Sequence, residues 1–165
     1  MNNNIAIKYG LIAGVGVVAY FLLFYCSDIK LFFNPIIVWG SLVVYIAGMV
    51  KACADQRKTQ EEFLFKDALR TAFFSFAVAS VVYYVFNYLL YNVFDAELAE
   101  VQKEILVEQM GKMATRLQFS DVEDQIKEFS KSDFRVTIGN SFLALGQSLI
   151  GGFILSLAVS AVMRR

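Results

Sequence analysis

The sequence predicts an all-α integral membrane protein, with four transmembrane helices and a helical extracytoplasmic insert between helices three and four. Three observations carry that prediction. Apolar runs at about residues 9–26, 35–51, 68–92 and 137–163 hold almost no charge, and each comes near or beyond the roughly 17–25 residues that a helix needs to cross hydrocarbon. With 58% hydrophobic and 18% charged residues, the 165-residue chain is too apolar for an ordinary soluble domain. The remaining charge gathers in short connections and in one amphipathic stretch, residues 95–135. The whole chain, 1–165, reads as one membrane domain that carries this insert.

The first run follows Lys8 and ends Phe24-Tyr25-Cys26. A cleaved signal peptide ends on small residues, so this run reads as an uncleaved span. Ala6, Gly10 and Gly14 recur every four residues on one face. In lipid such small residues let helix backbones approach, because packing replaces the hydrophobic effect as the driving force. Asn34-Pro35 opens the second run, with Asn as N-cap and Pro at the first helical position. Trp39 follows one turn later, at interfacial depth. Cys26 and Cys53 end consecutive spans and so fall at opposite faces, roughly 30 Å apart. That is far beyond the ~7 Å that a disulfide tolerates.

No Gly or Pro interrupts the chain from Asp67 to Met110, so the third span has the makings of one helix of roughly 65 Å unless Asn92 or Asp95 breaks it. Its far end gathers Tyr83, Tyr84, Tyr88 and Tyr91 around Asn87. They read as an interfacial aromatic belt, or alternatively as a stacking surface for a lipid headgroup or sugar. In the insert, Leu98, Val101 and Ile105, then Met110, Met113 and Leu117, form a helical stripe that Gly111 is expected to interrupt. Ser120 and Glu123 have the form of a capping box for a second helix through Val122, Ile126 and Phe129. The insert is acidic, which suits a helical hairpin or partner-docking surface better than adsorption to anionic lipid. The fourth run carries Ala144, Ser148, Gly152, Ser156 and Ser160 at four-residue steps, a close-packing face. Asn140 and Gln147 are its polar groups. An unpaired amide in hydrocarbon costs several kcal/mol, so both are expected to face protein or water.

Lys8, Lys51, Arg57, Lys58, Lys66, Arg70, Arg164 and Arg165 sit close to span ends on one side. The cations of the other side are mostly dispersed through the insert. The positive-inside rule then places both termini in the cytoplasm and residues 95–135 outside it. The chain has no histidine, no Walker or dinucleotide fingerprint and no acid or base deep within a span. No catalytic residue, metal ligand or cofactor is expected, and nucleic acid is not an expected partner. Membrane lipid is the expected partner, with a second copy or another membrane protein.

The order of several segments resembles a family of small bacterial membrane proteins known as domain-of-unknown-function family 4199. The segments are Ile7-Lys8-Tyr9-Gly10-Leu11-Ile12-Ala13-Gly14, Phe65-Lys66-Asp67-Ala68-Leu69, Ser80-Val81-Val82-Tyr83-Tyr84, and Leu157-Ala158-Val159-Ser160-Ala161 before Arg164-Arg165. Where family members often carry an acid and a proline early in the last span, this chain has Gln147 and Leu149. The resemblance implies an inner-membrane location in a two-membrane bacterium. It supplies no catalytic residue, and it hints at a membrane glycosyltransferase as partner. Two functions follow as expectations. The leading one is an accessory or scaffolding subunit acting through helix packing and the acidic insert. The other is a small oligomeric flippase, transporter or channel for a lipid-linked or small polar solute, with Asn140, Gln147 and the tyrosines along its path.

Overall fold

The structure, a computed structural model, describes residues 3–117 and 135–163. Helix dominates these residues, and no strand occurs among them. Among the described residues the α-helices are, in order, α1 Asn3–Ser27, α2 Ile29–Phe32, α3 Pro35–Gly40, α4 Leu42–Arg57, α5 Phe65–Leu89, α6 Leu98–Leu117 and α7 Ile138–Met163. Four stretches are long and apolar enough to cross a membrane: Asn4–Ser27, Pro35–Arg57, Phe65–Phe94 and Ile138–Met163. The chain divides into two compact units, one of residues 1–87 with 139–165 and one of residues 88–138.

In the first unit, α4 and α5 each touch both outer helices. The joints are small residues. On α1, Gly10 and Gly14 lie against Ser75, Val78, Ala79 and Val82 of α5, while Ala13 meets Gly48 of α4. The Cys53 thiol of α4 donates to the Ala68 carbonyl of α5 at 3.4 Å. On α7, Ser156 is fully buried, 3.5 Å from the Met49 sulfur of α4, and donates back to the Gly152 carbonyl at 2.7 Å. Ser160 repeats that back-bond to Ser156 at 2.6 Å. Such internal bonds let hydroxyls sit inside an apolar bundle without the penalty of an unpaired group.

The second span is interrupted. Asn34 caps α3 through Ile36 N–H at 2.9 Å, and Pro35 takes the first helical position. The helix then breaks for one residue at Ser41, whose hydroxyl donates to Val38 O at 2.7 Å. A hydroxyl that bonds back into the preceding turn competes with the helical ladder there. At the far end of α4, the Tyr9 hydroxyl of α1 donates to Asp55, which also pairs with Lys58 at 2.7 Å. That carboxylate, through the hydrogen bond, holds the exposed Lys58 ammonium above its usual pKa.

Gln56, Thr71 and Ser75 are each about 1% exposed and have side-chain atoms that no protein group among the described residues satisfies. A buried unpaired amide is worth about 1–3 kcal/mol of lost stability. Gln56→Met keeps the volume and removes the amide, so it should raise the unfolding temperature in detergent. A lowered temperature would show that the amide is paired and stabilising.

In the second unit, α5 passes into a π-helical turn, Leu90–Phe94, that ends at Asp95. The third span therefore does not continue as one helix into the insert. Gly111 does not interrupt α6, which runs through it to Leu117. Helix propensity of one glycine costs only about 1 kcal/mol, too little to end a helix of this length. Tyr91 donates to Gln102 at 2.8 Å, and Leu98, Ala99 and Ile105 are buried. The capping box at Ser120 and the second insert helix lie outside the described residues.

Candidate functional site: a lateral cavity in the bundle

The α3–α4 break and the small residues of α7 leave a space between these elements. The cavity has a volume of about 520 Å³ and is lined by residues of α1, α3, α4, α5 and α7. Phe76, Tyr45 and Gly152 meet in its wall. Tyr45 and Phe76 lie with ring centroids 4.9 Å apart, and the Phe76 ring occupies the place where a side chain on residue 152 would start. Gly152 is thus a bearing surface for an aromatic ring. Tyr83, Tyr84 and Ser148 line the cavity too, as do Trp39 and Ser41. Phe21 of α1 packs against Tyr83 with ring centroids 5.2 Å apart. Trp39 is 72% exposed and Ile154 63%, so the mouth opens on the lateral surface of the bundle.

Polar groups at the cavity are hydroxyls and an indole. The Tyr84 hydroxyl donates to the Ala144 carbonyl at 3.1 Å, and Ser148 faces the same hydroxyl. Ser41 is committed to Val38. Tyr45 faces Ser80 and Tyr83 faces Asn87, and Val38, Leu42 and Leu155 add apolar wall. Among the described residues, no Asp, Glu, Lys, Arg or Cys lines the space.

The small stripe of the fourth span divides along its length. Gly152, Ser156 and Ser160 are buried against the bundle's own helices, while Ala144 and Ser148 are half-buried beside the cavity. The tyrosines divide as well: Tyr83 and Tyr84 line the cavity, and Tyr88 and Tyr91 belong to the second unit. Asn87 is half-buried and faces the Tyr83 hydroxyl. Gln147 and Asn140 are exposed. The buried face of α7 centres on Gly152, Ser156 and Val159, and Gln147 falls on another side. It stands one turn before Gly151, which lines the cavity and whose missing side chain would meet only open space.

Sequence reasoning missed Phe21, Trp39, Tyr45 and Phe76 as parts of one site. The signal that was present is the pair Gly151-Gly152 in the middle of an apolar span, opposite aromatic residues on two others.

The family described as Protein of unknown function (DUF4199) matches residues 8–165 of the chain. No curated protein and no solved structure matches it.

Proposed function

From the premise that the chain belongs to the DUF4199 family of proteins of unknown function, we propose that this multi-pass membrane protein binds an amphiphile that enters its bundle sideways from the bilayer. One observation carries the reading: the cavity of about 520 Å³ opens laterally, within a bundle whose helices are long and apolar enough to span a membrane. Ligand sites of about 300–1,000 Å³ with apolar walls and a few convergent polar groups are the usual form of a small-molecule pocket. A site without acids, bases or metal ligands favours carrying or presenting a molecule over transforming it. This is the lipid-handling half of the transport expectation. The cation pattern at the span ends supports cytoplasmic termini and an external insert.

Trp39 is the only tryptophan in the chain and stands at the cavity mouth. Its fluorescence reports occupancy directly. Titrating the protein in detergent with a bromine-labelled single-chain amphiphile should quench Trp39 saturably, near one molecule per chain. Quenching that only rises in proportion to the probe would mean unspecific micelle mixing and would sink the reading.

A second reading, assembly with another copy or a membrane-protein subunit, is favoured by the outer face of α7. That span is the least covered of the four, with 17% of its apolar window buried against 28% for each of the others. Gly139, Gly146 and Gln147 all lie exposed on it, and neither glycine's missing side chain would meet anything. An amide in lipid gains a partner when two copies meet, since it both donates and accepts; such bonds contribute about 0.6 kcal/mol on average. Gln147→Leu should therefore weaken self-association in detergent by roughly threefold. Unchanged association by cross-linking would remove Gln147 from that role.

A further inference from the structure

The part of an amphiphile that enters the cavity follows from the chemistry of its wall and the depth of its mouth, and the inference rests on the reading of the cavity as a ligand site. We propose that the cavity takes one hydrocarbon chain of a bilayer lipid and leaves the headgroup outside, so that binding depends on the chain and is blind to the head.

Hydroxyls at the wall already hold partners within the bundle. Tyr45 faces Ser80 and Tyr83 faces Asn87. Tyr84 donates to the Ala144 carbonyl at 3.1 Å, with Ser148 beside it. The Ser41 hydroxyl donates to the Val38 carbonyl at 2.7 Å. A polar head drawn inside would have to break one such bond to make its own, an exchange that gains little. None of the lining residues is charged, so a phosphate or carboxylate would be buried without a partner. What the wall offers freely is apolar surface.

The mouth opens where a bilayer presents chains. Gly151 and Ile154 are the fourteenth and seventeenth of the 26 residues of α7. At 1.5 Å per residue they stand about 20–25 Å along a helix of about 39 Å. Ile154 is 63% exposed there. That depth falls inside the roughly 30 Å of hydrocarbon, away from both headgroup layers. Trp39, the fifth residue of α3, lies nearer a span end. A lipid whose chain lies in the cavity therefore keeps its head toward the Trp39 end.

The rings around the space are held apart from one another's faces across it. Phe76 bears on Gly152 and on Tyr45, Phe21 on Tyr83, and Tyr83 on Tyr84 with centroids 5.3 Å apart. Rings seated in this way leave a gap whose lining lacks contacts on one side, and a flexible chain restores them. At about 30 Å³ per water-sized group, the cavity of about 520 Å³ holds about seventeen such groups. One chain of about sixteen carbons fills that count, so the head and any second chain remain in the bilayer.

Competition against the bromine-labelled probe at Trp39 tests the proposal, with competitors compared at equal mole fraction in the detergent micelle. Palmitoyl lysophosphatidylcholine, palmitoyl lysophosphatidylglycerol and hexadecanol share a chain length and differ in head. They should displace the probe within about threefold of one another, because no head is buried. Octanoyl lysophosphatidylcholine fills only half the space and should need about tenfold more. A spread among the three heads wider than threefold would overturn the proposal while leaving the cavity as a lipid site. Displacement by the octanoyl lipid as effective as by the palmitoyl lipid would overturn it too. Absence of saturable probe binding would instead overturn the underlying reading, so the failures are told apart.

Discussion

Gly10→Val is expected to destabilise the bundle by about 3 kcal/mol, at the upper end of what overpacking a well-filled interior costs. A β-carbon on residue 10 would stand 2.7 Å from the Ser75 carbonyl oxygen and 2.7 Å from the Val78 β-carbon. The first of these is backbone, so no side-chain rotation relieves it. Gly14 repeats the situation one turn on, 2.7 Å from Val82 and 3.2 Å from the Ala79 backbone. The helix cannot simply step aside, because its other flank is seated on α4, where Ala13 meets Gly48 and the Tyr9 hydroxyl reaches Asp55. Separating α1 from α5 would also expose Val17 and Phe21, which are buried there. Unfolding in detergent reads the loss. Gly146→Val is the matched control, since its new side chain meets nothing within the chain. Equal stability of the Gly10 and Gly146 variants would show that α1 does not pack on α5 through this face.

Gly151→Phe is expected to abolish amphiphile binding with little change in stability. Residue 151 lines the cavity, yet its β-carbon position is open, so a phenyl ring enters the space without displacing protein atoms. Filling a site that a ligand would otherwise occupy removes the affinity outright. The neighbouring position behaves differently. A side chain on Gly152 runs into the Phe76 ring, so substitution there mixes packing damage with loss of the site. Two adjacent glycines thus give two distinguishable outcomes. Gly151→Phe should lose saturable quenching of Trp39 and keep its unfolding temperature, whereas Gly152→Ile should lower both. Retained quenching in the Gly151 variant would place the probe elsewhere.

The four spans and several of their joints were legible because each rests on a local rule. Run length and missing charge mark a membrane helix whatever surrounds it. The Asn34-Pro35 start of α3 depends on two neighbouring residues and their backbone chemistry. The break at Ser41 was not legible, since a serine back-bonded to its own turn is common in helices that stay whole. The continuation of α6 through Gly111 shows the converse, a residue of low propensity overridden by its neighbours. The cavity was hidden for a different reason. Phe21, Trp39, Tyr45, Phe76 and Ser148 come from separate spans, and nothing in their local spacing says that α3 and α7 stand apart where these side chains meet. The rotation of α7 was hidden likewise, since it is set by Gly152 seating on Phe76 and Ser156 on Met49.

The most direct measurement is native mass spectrometry of the protein released from membranes in mild detergent, wild type beside Gly151→Phe and Gly146→Phe. The account predicts one small amphiphile retained per chain in the wild type and the Gly146 variant, and none in the Gly151 variant. No retained molecule in the wild type, or the same one retained in all three, would contradict it.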